Sequence, residues 1–210
     1  MPTPDQFKAP FYPQRYYHAI FRSVDGSLLF RTLDNRNFFL SKVSYYLHPI
    51  CNCLAYCLLD NHAHFILRVK SSESLNAAIL STSEEFRTVS MKKFLEKPDE
   101  DEIIDEILER QVNRFMVSYA NAFNKMYSRR GSLFQSPFRR VEIRGEAHLQ
   151  QAIIYVHANA QKHRLVKDLK TIDIRLIGKY CLTTPRMFRR MKCFNFLIIK
   201  SDLKLFIKNR

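Results

Sequence analysis

His62 and His64 flank one alanine in Asn61-His62-Ala63-His64-Phe65-Ile66-Leu67, and Tyr155 and Asn159 stand four residues apart in Tyr155-Val156-His157-Ala158-Asn159. These residues could do chemistry by type and spacing. Side chains alternate along a strand, so His62 and His64 leave it on one face while Ala63 points to the other. Two neutral imidazoles converging on one point suit a divalent ion of the Mn, Co or Zn kind, and an ion with open positions polarises a phosphate oxygen. The same pair also fits a plain polar strand face, so it carries little alone. Residues four apart on a helix share a face with Cβ atoms about 6 Å apart, so the Tyr155 phenol and the Asn159 carboxamide can address one site, with Asn159 as a third ligand. A phenol is a poor nucleophile at its ordinary pKa of ~10. A nearby cation that also polarises the phosphate makes in-line attack by Tyr155 feasible, and the product is a phosphotyrosine link. The alternative for Tyr155 is an aromatic at the core or its rim.

A second group lies in Tyr127–Arg140, where Arg129, Arg130, Arg139 and Arg140 are interleaved with Phe134 and Phe138. Such a mixture can stack unpaired bases and neutralise a nucleic-acid backbone. The alternative is a solvated basic turn with two core phenylalanines. Arg129, Arg130, Phe134, Arg139 and Arg140, with Lys162 further on, are the candidate DNA contacts.

For His62, His64 and Tyr155 to meet, a strand and a distant helix must pack together. Arg15–Val24 mixes aromatic and β-branched residues up to Asp25-Gly26 and predicts a strand. Thr32–Leu47 has apolar returns at Leu33, Leu40, Val43 and Leu47 and predicts an amphipathic helix that His48-Pro49 ends. Asn52–Leu59 and Ala63–Val69 read as a hairpin turning at Asp60-Asn61. Ser72 or Ser74 can cap a short helix through Leu80, and the acidic stretch around Pro98 reads as a solvated insertion leading into a long helix, about Glu102–Tyr127. Gly131 breaks it, Phe138–Ile143 alternates as a strand, and Gly145 opens a last helix with Leu149, Ile153, Ile154 and Val156 as its stripe, fraying near Asn159. The order strand, helix, strand, strand, helix, strand, helix predicts an α+β domain, a split β-α-β antiparallel sheet with helices packed on one face.

The 210 residues fit one domain with additions, and 46% hydrophobic and 13% aromatic content exclude wholesale disorder. A net charge of +14 favours a polyanionic partner. Much of it sits in the end of the chain, where residues 161–210 carry 14 Lys/Arg against 3 Asp/Glu. Within the rest, Glu96–Glu109 holds 8 acids against Lys97 alone and masks a basic body. The 5 cysteines are odd in number, and Cys51, Cys53 and Cys57 lack zinc-ribbon spacing, so they read as small buried hydrophobes in a reducing cytoplasm. No signal peptide and no apolar run long enough to span a bilayer is expected.

The chain resembles the single-tyrosine HUH endonucleases, in particular the REP-associated tyrosine transposases and their IS200-like relatives. The resemblance lies in YHAIFRSVDGSLLF at 17–30, LAYCLLDNHAHFILRVK at 54–70, YANAFNKMYSRRGSLFQSPFRRVEI at 119–143 and AIIYVHANAQKHRLV at 152–166, in the family's order. The family's two-His motif falls on His62 and His64, and its Tyr-x-x-x-Asn helix motif on Tyr155 and Asn159. Tyr119 also lies in a family-like block and is the reserve nucleophile, but it stands five residues from Asn124, whereas Asn159 shares the face of Tyr155. The resemblance implies a ferredoxin-like catalytic domain over 15–168, after a lead at 1–14 and with a helical acidic insertion at about 84–110. It further implies Mg²⁺ or Mn²⁺ as cofactor, single-stranded DNA with a hairpin or repetitive extragenic palindrome as partner, a covalent 5′-phosphotyrosine intermediate, and a monomer or homodimer. Three departures stand out: Ala160 where family members place proline, small Ala63 between the histidines, and no match beyond Asp168. The basic tail at 169–210 is therefore expected to be disordered or the product of a shifted reading frame. Two other classes stay open, a nucleic-acid-binding module without catalysis and a metal-dependent nuclease that uses water.

Overall fold

The computed structural model describes residues 7–98, 100–162 and 181–183. β1 (Tyr16–Arg22) is followed by α1 (Leu33–Leu47), the hairpin of β2 (Cys51–Leu59) and β3 (His62–Val69), then α2 (Ser72–Leu80), α3 (Val89–Glu96) and α4 (Asp101–Met126). β4 (Arg139–Ile143), α5 (Gly145–Lys162) and β5 (Cys181–Thr183) complete it. The strands form one sheet in the order β4-β1-β3-β2-β5, and every neighbouring pair is antiparallel. The fold is α+β, as the element order predicts.

Period-two alternation gives the sheet two different faces. Tyr17, Ala19 and Phe21 of β1 and Ala63, Phe65, Leu67 and Val69 of β3 point into the larger core, which α1 and α4 close with Phe39, Val43, Phe115 and Tyr119. On the other face Ala55, Cys57 and Leu59 of β2, Ile66 of β3 and Ile143 of β4 pack under Leu149, Ala152, Ile153 and Val156 of α5. The helices thus divide between the two faces, which corrects the expectation of a single helical layer. A second apolar strip on the sheet needs its own cover. In β2 a register shift between Cys53 and Ala55 moves the inward parity from Cys51 to Tyr56 and Leu58, a β-bulge that strict alternation does not announce.

Local capping sets the helix starts. Thr32 caps α1 by accepting from the Asn35 amide, and the Asn35 side chain bonds back to the Thr32 backbone. Ser71, and not Ser72 or Ser74, caps α2 by accepting from the Ser74 amide. The acidic stretch is not a solvated insertion: Ile103, Ile104, Ile107 and Leu108 make the first turns of α4 part of the core. Two of its carboxylates face inward too. Arg140, only 2% exposed, meets Glu109 Oε1 at 2.6 Å and Asp105 Oδ1 at 3.4 Å, and its Nε donates to the Ala9 carbonyl. Asp105 also accepts from the Phe11 amide at 2.7 Å, and the Tyr17 hydroxyl donates to the Pro10 carbonyl. The segment before β1 is thereby tied to the body.

Candidate active site

The α5 face of the sheet holds the imidazoles. His62 and His64 leave β3 on the side opposite Ala63 and Phe65, with ring centroids 4.9 Å apart. Antiparallel register sets Ile20 of β1 opposite His64, so His18, two residues earlier on the same face, stands diagonal to it. His18 Nε2 lies 2.8 Å from His64 Nδ1. α5 crosses above and brings Tyr155 in, with its ring centroid 5.7 Å from His64 and 5.7 Å from His18, both edge to face. The fold therefore brings together a strand pair and a phenol 91 residues beyond His64 in the chain.

Asn159 follows Tyr155 by one helical turn and is 3% exposed. Its Nδ2 donates to the Tyr155 carbonyl at 3.0 Å, so Oδ1 is the atom with which it would ligate. His62 Nδ1 lies 2.7 Å from Asn61 Oδ1. A carboxamide oxygen only accepts, so this contact places the His62 proton on Nδ1 and the lone pair on Nε2. Burial lowers the His18 pKa to about 4, and it lowers His157 to about 4 as well. Both rings are neutral at pH 7 and able to accept a hydrogen bond.

Among the described residues no three His, Cys, Asp or Glu side chains are grouped to hold a metal ion. A cation here would take His62 and His64, the Asn159 carboxamide oxygen, and water or a phosphate oxygen in its remaining positions. Imidazole with oxygen donors is a set that accepts Mn²⁺ and leaves positions open, so the residues fit such an ion. Among the described residues Cys51, Cys53 and Cys57 are free thiols and belong to no metal-holding group. Burial pushes the Cys51 and Cys53 thiols up to about 12, which keeps them protonated rather than available as thiolate ligands.

Several candidate residues lie elsewhere. Tyr119 is 1% exposed on the other side of the sheet, and its hydroxyl donates to the Leu29 carbonyl, so it is a core residue and not a reserve nucleophile. Phe134 and Phe138 are each 4% exposed within the larger core and offer no face to a base. Arg140 is committed to Glu109 and Asp105, and its guanidinium lies over Phe11 and Phe138. The corrections at Phe134, Phe138 and Arg140 share one reason: the segment after α4 threads back beside β1, with Ser23 bridged to Phe134, and its large side chains fill the core there. Tyr119 is buried because it lies on the core face of α4. Arg129 folds onto Asn124 and the Ser132 carbonyl, half-buried Arg139 sits over the Phe7 ring, and Arg130 is exposed. The Lys162 side chain and the tail, apart from the backbone of Cys181–Thr183, lie outside the described residues.

His18 is the site residue that sequence reasoning missed. Its signal was the parity of Tyr16, His18 and Ile20 in the first strand, which becomes meaningful only once β1 is known to lie beside β3. An exposed groove lined by Tyr46, Glu106, Arg110, Arg114 and Val117 lies on the α1 and α4 layer, across the sheet from this site.

No protein-family profile and no curated protein matches the chain. Among solved structures, one described as the REP-associated tyrosine transposase bound to a REP hairpin superposes on it with a TM-score of 0.44 at 14% identity, covering 76% of this chain and 74% of that one. Among the described residues no helix is long and apolar enough to cross a membrane.

Proposed function

We propose that the chain nicks and rejoins single-stranded DNA through Tyr155, on a hairpin-bearing substrate. The observation that carries this reading is the placing of the Tyr155 ring 5.7 Å from His64, which itself lies 4.9 Å from His62. An ordinary core aromatic has no need of two imidazoles against its ring, His18 and His64.

In this reading His62, His64 and Asn159 hold Mg²⁺ or Mn²⁺, which when bound withdraws charge from the scissile phosphate. The Tyr155 phenol loses its proton to water, and its oxygen attacks phosphorus in line. The bond from phosphorus to the 3′-oxygen breaks, and that oxygen takes a proton from water. The DNA 5′-phosphate stays on Tyr155, and the freed 3′-hydroxyl can reverse the exchange without an external energy source, because one phosphodiester replaces another. The bond from Asn159 Nδ2 to the Tyr155 backbone carbonyl fixes the carboxamide itself, one helical turn beyond the phenol.

The test is incubation of the full chain with an end-labelled single-stranded hairpin and Mn²⁺, followed by a denaturing gel. A labelled band at the protein's mobility that disappears in Tyr155→Phe is expected. Cleaved DNA with no protein-linked label would instead mean attack by water, and a mobility shift on a native gel without cleavage would mean a binding module.

A further inference from the structure

The His18 to His64 contact is not explained by packing alone. The ring planes are 29° apart, and the centroids, at 5.0 Å, are much farther apart than the two nitrogens, at 2.8 Å. The rings therefore meet edge to edge through nitrogen and not face to face, and a hydrogen bond between two imidazoles needs one of them to give the proton. If His18 gave it, His64 would carry its own proton on Nε2 and could not ligate through that atom. If His64 gave it, Nε2 would hold a lone pair. The neighbouring His62 is already in that second state, because Asn61 Oδ1 accepts from its Nδ1.

We infer that His18 is a positioning residue: its Nε2 accepts the Nδ1–H of His64 and so fixes both the tautomer and the ring orientation with which His64 meets a cation. The inference rests on the reading above, in which His64 is a ligand. Outer groups of this kind set ligand tautomer in metal sites, and their loss weakens metal binding by roughly 10- to 100-fold. In most such sites the outer acceptor is a carboxylate or a carbonyl. Here a neutral imidazole from the adjacent strand takes that place, delivered by the diagonal register of β1 on β3. The same ring also lies edge to face with Tyr155, so one residue braces the ligand and the phenol together.

The experiment is long-range ¹H–¹⁵N correlation of the histidine rings in the full chain without metal, assigned with His64→Asn, beside Mn²⁺ titration by calorimetry. His64 is expected as the Nδ1–H tautomer in the unaltered protein. In His18→Leu it is expected to shift towards Nε2–H, with Mn²⁺ affinity falling roughly 10- to 100-fold. In His18→Gln, whose amide oxygen can take the place of Nε2, tautomer and affinity are largely restored. A resting Nε2–H tautomer of His64, or an unchanged affinity in His18→Leu, overturns the inference. Should His18→Leu fail to fold, the tautomer of the unaltered protein and the behaviour of His18→Gln decide the matter. Failure of the nuclease reading is separately visible: an Nδ1–H tautomer with no Mn²⁺ binding and no DNA adduct would leave His18 holding His64 in a protein that does not cleave.

Discussion

At the scale of single residues, Tyr119 and Tyr155 have the same chemistry, and their surroundings separate them. Burial raises the Tyr119 hydroxyl above the ordinary tyrosine range, and that hydroxyl is spent on the Leu29 carbonyl. A phenol in that state neither ionises nor reaches solvent. Tyr155 is half-buried beside His18 and His64. Tyr119→Phe is therefore expected to cost about 1–2 kcal/mol in urea unfolding, the value of one buried hydrogen bond whose acceptor is left unsatisfied. The same variant should keep its full yield of DNA adduct, and loss of the adduct with stability intact would return Tyr119 to the chemistry. The His-x-His pair and the helical Tyr-x-x-x-Asn were legible as pairs, because each is a local period. That the Tyr155 ring lies against His64, and that His18 stands behind His64, could not be read from either period.

At the scale of elements, the start of α4 shows how an acidic composition misleads. A stretch with 8 carboxylates in Glu96–Glu109 reads as solvated, yet its isoleucines return every three or four residues and carry it into the core. Two of those carboxylates then become partners for a buried arginine from β4. Removing one member of such a group leaves charge without compensation, at a cost of ~3–5 kcal/mol. Arg140→Ala should fall near the lower end, about 3 kcal/mol, because the Glu109 side chain is 43% exposed and can regain water. Arg140→Met, which keeps an unbranched stem against Phe11 and Phe138, should lose less. Equal stability of Arg140→Ala and the unaltered chain in urea denaturation would show that the cluster contributes nothing net. The bulge in β2 belongs to this scale as well: a single shifted position changes which residues of the strand reach which layer.

At the scale of the whole molecule, the sheet separates two tasks. The α1 and α4 layer buries most of the aromatic residues, and the α5 layer is lined by histidines along β1 and β3. Basic residues near the turn after α4 divide along the same logic, according to whether they are consumed by packing. Phe134→Ala is expected to destabilise the fold by ~3–5 kcal/mol, as for other core phenylalanines, and to weaken DNA binding only through that loss. Exposed Arg130→Ala should change stability by less than about 0.5 kcal/mol. If Arg130 contacts the backbone of a single strand, its removal should also lower the slope of log affinity against log salt by about 0.7. Fluorescence anisotropy with a labelled hairpin across a salt series separates the two, and an unchanged slope would remove Arg130 from the interface.

The residue string by itself determined β1, α1, the β2–β3 hairpin, β4 and α5 and, the β2 bulge apart, the facing of their side chains, because strand alternation, helical return and capping are set by the backbone over a few residues. It placed β3 with both imidazoles on one face and α5 with Tyr155 above Asn159. Strand order, register and the face that each helix covers were decided only by the tertiary structure. Those depend on burying Ile66, Ala55 and Ile143 under α5 and on lodging Phe134, Phe138 and Tyr119 in the opposite layer, contacts between residues far apart in the chain. Local periodicity carries no information about such pairings, which is why His18 came to light, and Tyr119, Phe134 and Arg140 left the site, only when the sheet was assembled.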